Sequence, residues 1–215
     1  AGDANQVYDF RVSEDRIAGA GKFLTKLWNT ARYISMFPQP RSAKLTLTDK
    51  WILNELAKLG KECIEAYGKF DLYTPATKIR EFLWNVFAAH YIEMTKSRAY
   101  GDDVSRAEQE AAWYTLHQLM KNVLLLLAPI TPHITDSIWK NLYGKRSIHL
   151  ELFPKTRNFR ISEKLSQSII DFNTQVWKVK REKGLALRDS IEVTIPRSLK
   201  PYENDIIRMH HITKS

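Results

Sequence analysis

Apolar side chains recur every three or four residues along most of this 215-residue chain, and prolines, glycines and capping residues interrupt them at short intervals. That spacing belongs to amphipathic helices, whose period is about 3.6 residues. Ser13, followed by Glu14 and Asp15, opens a predicted helix that ends where F-P-Q-P begins at residue 37. A hydroxyl and early carboxylates suit its positive end. Thr48 is expected to cap a helix over 49–67, with Ile52, Leu56, Leu59 and Cys63 inward. Thr74-Pro75 matches the pattern of a cap followed by proline at the first helical position. It predicts a long helix over 74–99 with Ile79, Phe82, Val86, Phe87 and Met94 inward, and Trp84 and Tyr91 on a second side. Ser105-x-x-Glu108 is a capping box in front of Trp113, Leu116, Met120, Val123, Leu124 and Leu127. Thr131-Pro132 opens one more helix, which Gly144 closes. Five helices with short connections imply an antiparallel bundle.

The pattern changes after Gly144. Residues 147–153 alternate weakly, as a short strand or a linker, and Ser162 caps a helix carrying Leu165, Ile169, Phe172, Val176 and Val179 on one stripe. Ile191, Val193 and Ile195 alternate as a strand up to Pro196, and a helical stretch follows over 198–210. The expected fold is therefore mainly α: a helix bundle over 1–144, then a small α+β subdomain over 145–215. The charge divides at the same place. Residues 1–143 carry 18 Lys and Arg against 16 Asp and Glu, whereas residues 144–215 carry 15 against 8. An excess this local favours a polyanion, nucleic acid before an anionic membrane surface.

Several classes of function are disfavoured. The longest apolar run, V-L-L-L-L-A-P-I at 123–130, is far short of the roughly 20 residues that span a bilayer and reads as buried core. The first ten residues lack the basic start and apolar stretch of a signal peptide. The single Cys63 permits no internal disulfide and suits a reducing cytoplasm. No glycine-rich phosphate cradle occurs, and the six histidines do not fall at metal-ligand spacing. His90 reads as a packed core histidine, and His210-His211 as part of a tail without a role.

Binding chemistry is better represented. In K-F-L-T-K-L-W-N-T-A-R-Y-I, residues 22–34, Phe23, Leu27, Ala31 and Ile34 form the apolar face. Lys22, Lys26, Asn29 and Tyr33 share the opposite side with Arg32 on its flank, and the run holds no carboxylate. Cations for phosphate, an amide for a base edge, and planar groups for stacking are the means by which unpaired RNA is held. Trp51, beside Lys50 near the start of the second helix, is a further stacking candidate. The basic segment adds Arg157, Lys178, Lys180, Arg181 and Lys183 as a second surface, though cations near a helix C-terminus also offset the helix dipole.

Five motifs in order carry a resemblance: K-L-W-N-T-A-R-Y, T-D-K-W-I-L-N-E-L, F-L-W-N-V-F-A-A-H-Y-I-E-M-T-K-S-R, L-L-L-L-A-P-I-T-P-H-I-T-D-S-I-W and W-K-V-K-R-E-K-G-L-A-L. Together they resemble the anticodon-binding domain of class I aminoacyl-tRNA synthetases, most of all its archaeal-type valyl branch. Asp136 stands where that family usually has Glu. The isoleucyl, leucyl and methionyl branches share the bundle and remain open, as does a protein-interaction scaffold. The resemblance implies a module that binds the anticodon loop and stem of a valine tRNA, with Lys26, Asn29, Arg32 and Trp51 at anticodon-facing positions. It also implies that ATP, Mg and the ligation of valine belong to a catalytic domain in cis of a monomeric enzyme. The H-I-G-H and K-M-S-K-S strings of that domain do not occur in these residues, so no catalytic, metal or cofactor site is expected among them.

Overall fold

The computed structural model describes residues 14–155 and 157–213, so the predicted cap at Ser13 lies outside the described residues. Helix α1 is Glu14–Ile34, α2 is Leu47–Tyr67 and α3 is Tyr73–Glu81. A π-helical segment, Phe82–Tyr91, joins α3 to α4, Ile92–Tyr100; there the Ile92 N–H reaches back five residues to the Phe87 carbonyl. Helices α5, Arg106–Leu127, and α6, Pro132–Leu142, complete the bundle. The long helix expected over 74–99 is thus continuous but wound differently in its middle.

The caps follow local hydrogen bonding. Ser105 and Glu108 form the expected capping box at α5, and the Ser162 hydroxyl accepts from the Leu165 N–H at α7, Glu163–Glu182. At α2 the cap is Thr46 rather than Thr48, because the Asp49 carboxylate reaches back three residues to the Thr46 N–H; Thr48 is buried inside the first turn. At α3 the Asp71 carboxylate accepts from the Tyr73 and Thr74 N–H groups, so the helix begins before Thr74.

No β-strand occurs among the described residues, which overturns the α+β expectation for the last third. Residues 147–153 hold a 3-10 turn, Ile148–Leu150, tied down by the Asp136 carboxylate, which accepts from Ser147 Oγ and the Ile148 N–H. Ile191 and Ile195 are buried while Glu192 and Thr194 are exposed, as their alternation requires. Alternation decides which side chains face the core, but a strand also needs a neighbour to pair with. Among the described residues the pairing is a single parallel bridge between Ile191 and Ile212. A 3-10 turn, Arg197–Tyr202, then leads into α8, Glu203–His210.

One hydrophobic cluster extends from Phe23 in α1 to Ile212 after α8. Trp51, Ile52, Phe87, Tyr91, Met94, Leu116 and Leu124 lie at its centre, all but fully shielded from solvent. The apolar run at 123–130 is part of this core, with Val123, Leu124, Leu126, Leu127 and Ala128 buried. No helix among the described residues is long and apolar enough to cross a membrane.

Polar groups join the distant pieces inside that core. The Arg98 guanidinium of α4 donates to both carboxylate oxygens of Asp49 in α2, at 2.8 and 3.2 Å, and to Asp205 of α8 at 2.9 Å. Tyr91 Oη donates to the same Asp49 at 2.7 Å. Burial works against ionisation of Asp49, but Arg98, then the Tyr91 and Thr46 hydrogen bonds, outweigh it and hold the carboxyl below its ordinary value. His210 is no tail residue: it is fully buried, and its Nε2 lies 3.0 Å from Asn173 Oδ1, whose amide nitrogen lies 3.4 Å from His90 Nδ1.

Candidate nucleic-acid interface

Helix α1 packs on α5, α6 and the π segment through Phe23, Leu27, Ala31 and Ile34. That leaves its opposite side outward, as an amphipathic helix on a core must. Lys22, Asn29 and Arg32 are exposed there. Lys26 is half-buried because its ammonium lies over the Trp84 ring, 5.8 Å from the centroid. None of Lys22, Lys26 and Arg32 has a carboxylate partner among the described residues, so their charge is available to a ligand.

Tyr33 does not join that surface. Its ring packs edge-on against Phe37 at 5.1 Å and Tyr100 at 6.3 Å, and its hydroxyl is buried without a hydrogen-bond partner among the described residues. Burial, with lesser contributions from Tyr100 and Glu93, raises the phenol far above its ordinary range. The end of α4 covers the last turn of α1, and the aromatic ring is taken up in that contact. The aromatic rings that do face solvent there are Trp28, 47% exposed, and Trp84, 40% exposed. The sequence reading leaves Trp28 out of the binding face and sets Trp84, with Tyr91, on a second side of its helix. The available sign was an indole between Lys26 and Asn29, one residue past the core position Leu27.

Beside this edge, α1 and α6 leave a largely apolar cleft of about 220 Å³ lined by Trp28, Ala31, Arg32, Ser35, Ile138 and Asn141. A flat apolar wall with a guanidinium, a hydroxyl and a carboxamide at its rim can accept one heteroaromatic ring and bond to its edge.

Two predicted residues are occupied with the fold instead. Trp51 is fully buried against α7, its indole N–H donating to Ser166 Oγ at 2.7 Å, so no face is left for a base. Its neighbour Lys50 is half-buried. Lys180 is also buried; its ammonium donates to the Leu187 and Asp189 carbonyls, both at 2.7 Å, and pins the turn after α7. Burial lowers its pKa. Neither spacing nor composition could reveal these partners, because both depend on how the chain folds back on itself.

The remaining basic residues are exposed. Lys178 makes a long 3.9 Å pair with Glu182, while Arg181 and Lys183 have no carboxylate partner among the described residues. Arg157 lies over the Phe159 ring at 5.2 Å.

Comparison with known proteins adds a family match. A model described as the anticodon-binding domain of tRNA ligase matches residues 49–195. The valine–tRNA ligase of Aeropyrum pernix is 37% identical over 216 aligned positions, covering 94% of this chain and 26% of that protein. That of Pyrobaculum aerophilum is 38% identical, covering 87% and 24%; that of Nanoarchaeum equitans is 35% identical, covering 95% and 26%. The chain therefore spans about a quarter of the length of the curated relatives it matches.

Proposed function

Because the chain belongs to the anticodon-binding domain family of tRNA ligases, we propose that it holds the anticodon loop and stem of a valine tRNA. The observation that carries this reading is the outward edge of α1, where three cations without carboxylate partners among the described residues stand beside two exposed tryptophans and an amide. Lys22 and Lys26 offset phosphate charge, Asn29 bonds to a base edge, and Arg32 and Trp28 offer planes at the mouth of the α1–α6 cleft. Arg157 takes the phosphate of a flanking nucleotide and Lys178, Arg181 and Lys183 take stem phosphates, so the bundle over 1–144 reads the loop and the basic 145–215 segment steadies the stem. Bond-making is assigned to a catalytic domain of a longer cytoplasmic, monomeric valine–tRNA ligase, where ATP and Mg activate valine.

Binding of valine tRNA and of a second tRNA to this chain tests the division of roles. Arg32→Ala should cost about 1–3 kcal/mol and narrow the difference between the two tRNAs. Lys178→Ala should weaken both alike and lower the salt slope by about 1. Affinity for valine tRNA should fall steeply between about 50 and 200 mM salt, since each neutralised phosphate releases counterions. An affinity insensitive to salt would overturn the reading.

A further inference from the structure

Helix α5 carries a second set of polar side chains, on the side that packs against α2 rather than α1. Tyr114, Gln118 and Asn122 stand one helical turn apart and so share one face. They line a cleft of about 180 Å³ whose other walls are Leu53 and Leu56 of α2 and whose rim is Lys155, Arg157 and Phe159. No acidic side chain lines it among the described residues.

Most of the polar side-chain atoms in the cleft are unspent. Asn122 donates its amide to the Gln118 backbone carbonyl at 2.6 Å, which fixes the side chain. The Gln118 carboxamide and the Tyr114 hydroxyl make no hydrogen bond among the described residues, and neither Lys155 nor Arg157 has a carboxylate partner there. Leucine side chains form an apolar wall with carboxamides at its edge. At the rim the Arg157 guanidinium lies over the Phe159 ring, and Lys155 adds a second cation. Apolar contact for a planar base, amides for its donor and acceptor edge, and cations for a phosphate together fit a nucleotide.

We propose that this cleft is a second nucleotide site, distinct from the α1 edge, that takes one unpaired ribonucleotide of a bound RNA. The base lies along Leu53 and Leu56 with its edge toward Gln118 and Asn122, and the phosphate meets Lys155 and Arg157. The choice of RNA as ligand rests on the tRNA reading above; the cleft itself can be tested without it.

The test titrates the ¹⁵N-labelled chain with AMP, ribose 5-phosphate and inorganic phosphate, following the side-chain amide resonances of Gln118 and Asn122. AMP should move both, ribose 5-phosphate much less, and Gln118→Leu or Arg157→Ala should weaken AMP binding about tenfold. Asn122→Ala gives a second variant should Gln118→Leu disturb the helix. Valine tRNA should displace AMP. Inorganic phosphate moving the resonances as far as AMP, or no movement with AMP, would overturn the proposal. Should Arg32→Ala abolish tRNA binding while Gln118→Leu changes neither AMP nor tRNA affinity, the cleft proposal fails and the α1 reading stands. AMP held in the cleft and displaced by tRNA, with α1 substitutions silent, would sustain the cleft and refute the α1 assignment.

Discussion

Arg98 shows how much one buried charge can organise. It is 1% exposed and faces two carboxylates, one of which, Asp49, also anchors the capping box of α2 and receives the Tyr91 hydroxyl. Arg98→Met should destabilise the protein by about 3–5 kcal/mol in urea unfolding, because it leaves the buried Asp49 carboxylate without a counter-ion. The histidine pair bonded to Asn173 gives a dependence on pH. Burial pushes His90 down to about 4 and His210 down to about 3, whereas both titrate near about 6.5 in an unfolded chain. Between those values the unfolded chain binds more protons, so stability falls as the pH drops below about 6.5. The loss is at most about 1.4 kcal/mol per pH unit for each ring. Urea midpoints at about pH 7 and about pH 5 measure it, and equal midpoints would contradict a neutral pair.

Among the elements, α1 is unusual in holding Gly19 and Gly21 at exposed helical positions where an added Cβ would meet nothing within 4 Å. Gly19→Ala and Gly21→Ala should each stabilise the helix by about 0.5–1 kcal/mol, visible as a rise in Tm. Helices such as α1 were legible from the sequence because apolar spacing and caps are local, and the core positions Leu27, Ile52, Phe87 and Leu124 fell where the period placed them. What could not be read locally depends on docking. Trp51 and Lys180 look like ligands until α7 and the following turn cover them, and His210 looks like a tail until Asn173 meets it. The outward side of α1 was legible as a polar edge, but its aromatic members were not. Tyr33 is claimed by Phe37 and Tyr100, while Trp28 and Trp84 supply the exposed rings.

At the level of the molecule, the last third is basic yet threaded into the bundle by specific polar bonds. Asn54 of α2 accepts from the Phe159 and Ile161 N–H groups and donates to the Ile161 carbonyl. Asn54→Ala should therefore release the 157–161 segment from α2, raising its amide hydrogen exchange while leaving the exchange of α6 unchanged. Loss of protection in both segments together would show that the segment is not held separately. The Arg98–Asp205 bond carries a consequence for synthesis, since its partners are separated by 107 residues. At about 5–20 residues per second, a ribosome emits Arg98 roughly 5–20 seconds before its second counter-ion exists. Throughout that interval the nascent bundle has only Asp49 against the guanidinium, and α8 completes the cluster when it arrives.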